Sequence, residues 1–206
     1  MRLYYASKTI SVAVAIALYE AEIAFEMYPV NFRNSEQTKP EYLAINPKGR
    51  VPTLEVDDER LSETGALLEY VAALKPEAKL TPTNPVEAAH MRSVMFYLAS
   101  TMHVNHAHKM RGSRWADLAD SHADMTAKVP ETMTQSAHYI QENCLRGDYV
   151  LGSQLSIADP YLFVICTWLE GDGVDLSQLP IIAGFIDRMR NRPSVQKAVE
   201  NGMLSA

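Results

Sequence analysis

The chain has 206 residues, with 19 basic against 25 acidic side chains for a formal net charge of −6, a balance that favours solubility and argues against a nucleic-acid surface. Its 47% hydrophobic and 21% charged content is ordinary for a globular protein with room for one large core or two small ones. No apolar run approaches the ~20 residues of a membrane span, and two cysteines, Cys144 and Cys166, are too few to staple a chain of this size. The opening MRLYYASK has no signal-peptide layout, so the cytoplasm is the expected compartment.

Residues 2–5 read as a short aromatic strand. From Ile10 the residues Ile10, Val14, Ala17 and Leu18 recur at helical spacing to about Ala21. A second strand is expected within 23–30, interrupted by Pro29. Residues 33–40 are polar and loop-like, with a short helical turn around 41–44. The sequence NPKGRVPTLEVDDERLSETGALLEY (46–70) organises the rest. Asn46-Pro47-Lys48-Gly49 is a turn signal. Two apolar runs, 51–56 and the region of Leu61, separated by Asp57-Asp58-Glu59-Arg60, read as a β-hairpin. Pro52, at the start of the first run, belongs at an edge or special turn and is the likeliest cis position in the chain. A cis bond there would turn the Val51 N–H and C=O outward, free to pair with an extended ligand. Ser62-Glu63-Thr64-Gly65 then opens a helix carrying Leu67, Leu68, Val71 and Leu74. A hydroxyl and carboxylate at its start can cap the free N–H groups, and those groups can equally receive a ligand carboxylate.

The order β-α-β-α-β-β-α argues for an α/β layer structure. Residues 77–85, rich in polar residues and proline, form a linker, and the remainder is helical in pattern: 88–110, 116–143 with a kink or break near Pro130, 156–169, 180–190 and 194–201. Ser156-Ile157-Ala158-Asp159 has the form of a capping box, in which the Ser156 hydroxyl accepts from the Asp159 N–H and the Asp159 carboxylate reaches back. Asp159 is therefore expected to be structural. Cys166, inside the apolar run 161–169, is expected to be a buried core thiol.

NPKGRVPTL followed by ETGALLEY resembles the glutathione-binding half of the glutathione transferases, and the capping box with GDYVLG before it resembles the second domain of the same family. The resemblance covers most of the chain. It implies an α/β thioredoxin-like N-terminal domain (1–76), the linker 77–85 and an all-α C-terminal domain (86–206). It further implies a cytoplasmic homodimer with a detoxifying role, binding glutathione as co-substrate at the mouth between the domains and attacking a small hydrophobic electrophile, with no metal, nucleic acid or membrane involved. On this resemblance Val51-Pro52 pairs with the cysteinyl part of glutathione and Glu63-Thr64 holds the γ-glutamyl end. Arg33 lies in the region that serves the glycyl carboxylate, while Lys48 and Arg50 are expected outside the pocket.

The sulfur must be held as a thiolate to react, in this family by a residue between the first strand and first helix. MRLYY most resembles the bacterial beta-like branch, where a cysteine would fall at Ile10. Isoleucine can neither hydrogen-bond a thiolate nor form a mixed disulfide, so a disulfide-forming mechanism is in doubt. The remaining hydroxyls are Thr9 and Ser11, favoured equally, then Ser7, with Tyr5 further back. Lys8 is the only cation of the loop. In the helix ending at residue 110, His103 and His106 share a face, and the resemblance places such a histidine, with Tyr5, in the acceptor pocket. As zinc ligands they lack a partnering carboxylate nearby. Two other readings stay open: a non-catalytic glutathione-binding or stress-adaptor protein with the same fold, motivated by Ile10, and a glutathione-dependent isomerase or peroxidase.

Overall fold

In the computed structural model, which describes residues 1–205, the chain divides into two compact units. One comprises residues 1–82 together with the chain from Met189 onward; the other is Thr83–Arg188. The sequence expectation assigned all of 86–206 to a second domain, whereas the C-terminal segment groups with the first unit.

The first unit is built on β1 (Arg2–Tyr5), α1 (Ser11–Glu20), β2 (Glu26–Pro29), α2 (Pro40–Leu43), β3 (Thr53–Val56), β4 (Glu59–Ser62) and α3 (Thr64–Leu74). The sheet order is β2-β1-β3-β4, with β1 and β2 parallel and the other pairs antiparallel. Parallel strands need a crossover, which α1 supplies. Every residue of α1 from Ser11 to Leu18 is buried, as expected of a helix that is apolar all round. The hairpin is tighter than the sequence suggested: Glu59 and Arg60 pair with Val56 and Glu55 inside the sheet. The reversal is left to Asp57, whose φ is +52°, a conformation that aspartate tolerates better than most residues.

The C-terminal segment returns through α9 (Pro193–Glu200) to α1. The Arg192 guanidinium donates to both oxygens of Glu20, at 2.6 and 2.7 Å, and the Ser194 hydroxyl donates to the same carboxylate at 2.5 Å. Beyond the helix, Met203 is fully buried, and its carbonyl accepts the N–H of Lys8 at 2.8 Å. The chain's end therefore braces the loop after β1.

The second unit contains α4 (Pro85–Tyr97), α5 (His103–Ala107), α6 (Ala119–Tyr139), α7 (Ala158–Cys166) and most of α8 (Pro180–Arg190). Asn84 caps α4, accepting from Val86 N and Glu87 N. A wider π turn at Leu98–Met102 joins α4 to α5, so the single helix expected over 88–110 is interrupted there. Of the kink or break expected near Pro130, the break does not occur: Pro130 lies inside α6 without ending it, since a long helix tolerates the one backbone hydrogen bond that proline removes. The Pro130 ring packs against Gly173, where φ is +86° and an added Cβ would sit 3.2 Å from the ring.

Residues Ala158 to Cys166 of α7 are all buried, and burial pushes the Cys166 thiol well above its ordinary pKa. The start of this helix differs from the expected box in one bond. The Asp159 carboxylate does reach back to the Ser156 N–H at 2.7 Å, but the Ser156 hydroxyl donates to that carboxylate at 2.9 Å. The other carboxylate oxygen accepts from Val150 N at 2.8 Å, tying in the preceding loop. With Asp159 and Ser156 both fully buried, Asp159→Ala strands three donors. We expect it to destabilise the fold by about 3 kcal/mol or more, measured by equilibrium urea unfolding, with Ser156→Ala costing about 1 kcal/mol.

Candidate active site

The first unit concentrates open backbone groups along the segment 46–65. Gly49, at φ +60° and with Gln37 O only 2.9 Å from where a Cβ would stand, makes the turn into it. The Asn46 amide donates to the carbonyl of Arg50 at 2.8 Å and to Thr53 Oγ1 at 2.9 Å, while the Tyr42 hydroxyl donates to the same Arg50 carbonyl at 2.8 Å. Asn46 is 4% exposed, and burial pushes the Tyr42 phenol above its ordinary pKa. These bonds hold the chain ahead of Val51-Pro52, whose peptide bond is cis. The Val51 side chain packs against the cluster of Tyr4, Val30 and Tyr42. Its N–H and C=O make no hydrogen bond among the described residues, so they are available to an extended ligand.

Glu63 follows with φ +77° and ψ 118°, outside the regions that non-glycine residues favour. Of the two uses open to this helix start, capping by Ser62, Glu63 or Thr64 or receipt of a ligand carboxylate, the first is not taken up: no side chain caps α3. Instead the Glu63 carboxylate lies 2.5 Å from Lys48 Nζ, which also donates to Ser62 Oγ at 2.7 Å. Lys48 thus joins Ser62 and Glu63, a contact that its position in a turn motif gave no sign of. Thr64 is buried at the start of α3. The uncapped helix start, carrying the positive end of the helix dipole, can receive a carboxylate, and Glu63 beside it can face an ammonium group.

The loop from Ala6 to Ser11 carries the hydroxyls. Ser11 is fully buried; its Oγ accepts from Ala6 N at 3.1 Å and lies 3.2 Å from Ala6 O and 2.7 Å from Thr9 Oγ1. Thr9 is partly exposed and lies 2.8 Å from Ala6 O. Two hydroxyl protons thus serve Ala6 O and each other, and only Thr9 reaches the surface. The Ser7 hydroxyl donates to Gly202 O at 2.9 Å, and Lys8 sits at φ +62° with its side chain exposed. Ile10 is 5% exposed and Tyr5 7%; burial raises the Tyr5 phenol pKa. Arg33 is exposed in the turn Phe32–Asn34, which Asn31 caps.

In the second unit His103 and His106 meet, as their spacing predicts, with ring centroids 6.5 Å apart. Both face Trp168: His106 stacks on it at 4.2 Å and 23°, and His103 lies at 5.1 Å. A carboxylate also arrives from distant sequence. Asp172, 2% exposed, accepts from His106 Nδ1 at 2.6 Å. Neither Trp168 nor Asp172 was singled out by the sequence, since more than sixty positions separate Asp172 from its partner. Among the described residues no group of three His, Cys, Asp or Glu side chains is placed to hold a metal ion.

Residues 1–73 match the family profile "Glutathione S-transferase, N-terminal domain" and residues 108–202 the profile "Glutathione S-transferase, C-terminal domain". Glutathione S-transferase GstA of Escherichia coli O157:H7 is 29% identical, with 97% of each chain aligned. Glutathione S-transferase GST-4.5 of Xanthomonas campestris pv. campestris is 30% identical over 97% of this chain and 98% of that protein. A crystal structure of a glutathione transferase homologue from Sulfitobacter, with bound glutathione, is 58% identical, with a TM-score of 0.98 and 98% of each chain covered.

The two hydroxyls differ in what their loss exposes. Ser11→Ala leaves the buried Ala6 N–H without its acceptor and is expected to cost about 1–3 kcal/mol of stability. Thr9→Ala, at a partly exposed position, should cost less than about 1 kcal/mol. Urea unfolding of the two variants side by side checks the order.

Proposed function

The chain belongs to the glutathione S-transferase family, and from that premise we propose that it conjugates glutathione to a small hydrophobic electrophile. The observation that carries this reading is the open backbone of Val51 next to the uncapped start of α3. Glutathione has the matching groups in the matching order: a cysteinyl peptide unit to pair with Val51 beside Pro52, and a γ-glutamyl end with one carboxylate and one ammonium. The carboxylate suits the N–H groups of Thr64 and its successors; the ammonium suits Glu63, which Lys48 holds in place. Arg33 supplies the cation for the glycyl carboxylate.

Thr9 donates to the thiolate, and Ser11 is its support. With the Ser11 proton given to Thr9 Oγ1, the Thr9 proton is released from the pair and can turn to the sulfur. Donating hydroxyls in series polarise one another, and a hydrogen bond to the charged form lowers the pKa of the thiol. The thiolate then attacks the electrophile, the carbon–sulfur bond forms, and the leaving group departs with its electron pair. The His103/His106 face, with Trp168 behind it, binds the acceptor; Tyr5 takes part only through the strand it anchors. A thiolate stabilised by a donated hydroxyl, its proton passing to water, needs no cysteine, which accommodates Ile10.

Calorimetric titration of glutathione into wild type and Glu63→Ala tests the site. Saturable binding, weakened about tenfold or more in the variant, is the expected result; no binding at millimolar glutathione overturns the reading. Thr9→Ala should lower kcat/KM about 10- to 100-fold at neutral pH, since a hydrogen bond to a charged group is worth ~1.5–3 kcal/mol, and should move the acid limb of its pH profile upward. An adaptor that retains the fold, the reading Ile10 favours, would instead bind glutathione and show no turnover for Thr9→Ala to reduce.

The protein acts as a cytoplasmic, detoxifying homodimer in this account. In support of the dimer, α4 leaves Val86 70% and Phe96 72% exposed, apolar side chains that self-association would cover. Sedimentation velocity at micromolar concentration is expected to find a two-chain species; a single-chain species throughout contradicts the dimer.

A further inference from the structure

The His106 ring is held on two sides by the second unit. Its face lies against Trp168, with centroids 4.2 Å apart. Its Nδ1 lies 2.6 Å from Asp172 Oδ2. Asp172 itself is buried to 1% of its side chain, and its other oxygen lies 3.3 Å from Lys109 Nζ. Lys109 also donates to the Gly171 carbonyl, which precedes the carboxylate in the same turn, Glu170–Asp172. An ionised carboxylate can only accept hydrogen bonds, so the Nδ1 atom facing it must carry the proton. In the neutral ring the remaining nitrogen, Nε2, is then an acceptor. Nε2 makes no hydrogen bond among the described residues, and the side chain is 29% exposed.

A buried carboxylate is a costly way to orient an imidazole if the ring only fills space, because its charge surrenders hydration. Trp168 would hold the ring by packing alone. What packing cannot do is choose between the two tautomers; a carboxylate can. The charged and titratable groups around the ring are Asp172, Lys109 and His103, and of these only Asp172 contacts a ring nitrogen.

We propose that Asp172 is a positioning residue that fixes His106 as the Nδ1–H tautomer and presents Nε2 as a proton acceptor in the acceptor-binding face. The inference rests on the transferase reading above for its kinetic consequence, and on geometry alone for the tautomer. Each conjugation breaks the S–H bond of the glutathione thiol, the electron pair staying on sulfur and the proton going to water. When Nε2 takes that proton from water, the N–H bond forms from the imidazole lone pair, the imidazolium charge faces the Asp172 carboxylate, and the proton returns to bulk water as the ring becomes neutral. Lys109 steadies the carboxylate from its other oxygen.

The tautomer is read in the ligand-free wild-type protein by 15N–1H correlation NMR of the histidine rings at a pH where the imidazole is neutral. Assignment by comparison with His106→Ala should give a protonated Nδ1 and an unprotonated Nε2. A ring carrying its proton on Nε2 overturns the proposal. Kinetically, Asp172→Asn is expected to lower kcat about tenfold or more, as general acid–base contributions of ~10²-fold and above allow, with the KM for glutathione little changed. In a His106→Ala background the same substitution should lower kcat no further, whereas a structural role would persist there. A folded Asp172→Asn protein with wild-type kcat, or an additive loss in the double variant, overturns it. A wild type that binds no glutathione defeats the transferase reading instead, and the NMR spectrum then decides the tautomer on its own.

Discussion

The carbonyl of Arg50 is the point on which the ligand-facing edge of the first unit depends. Asn46 and Tyr42 both donate to it, and both also reach Thr53 at the head of β3. A buried amide and a buried phenol must find partners or forfeit their hydration. Here they find them in a way that pulls the chain taut on either side of Val51-Pro52. The consequence is that Val51, one residue further on, keeps its backbone groups outside the sheet ladder. Polar groups that the core satisfies thus create polar groups that the core does not, and the latter are where a peptide ligand can bind.

The loop after β1 shows a comparable division of labour. Ser11 is buried and accepts from Ala6 N, with its single proton shared between Ala6 O and Thr9 Oγ1, which makes it a poor ligand-binding group and a good anchor. Thr9, hydrogen-bonded to Ser11 but nearer the surface, is the hydroxyl to which we assign the chemistry. The far end of the chain contributes as well: Met203 and Gly202 accept from Lys8 and Ser7, and α9 is pinned to α1 through the Glu20–Arg192–Ser194 cluster. A left-handed lysine at position 8 is costly in isolation; its hydrogen bond to Met203 is part of what offsets that cost.

Much of this was legible before any coordinates. The order of strands and helices, the turn at 46–49, the cis bond before Pro52 and the buried run around Cys166 follow from local chemistry, and local chemistry is what sequence patterns encode. The misses share a different character. Lys48 looks like a turn residue because its neighbours make a turn, and its reach to Glu63 depends on the hairpin folding back. Asp172 carries no local signature: it becomes meaningful only when the turn after α7, which carries Trp168, brings it to His106 of α5. Pro130 allowed a kink or a break, and propensity alone could not say that α6 would run through it unbroken. Even the box at Ser156 was recognised by its residue types, while the direction of its hydroxyl bond was set by the competing demand of the buried Asp159 carboxylate.

The central claim is that this chain holds glutathione as a thiolate through Thr9 without a cysteine. Ultraviolet difference spectroscopy of the bound thiolate, followed as a function of pH in the presence of saturating glutathione, tests it most directly. The account predicts ionisation at least about one unit below the ~8.5 of a free thiol, with Thr9→Ala returning most of that shift. A bound thiol that ionises at the free value, unaffected by Thr9, would contradict it.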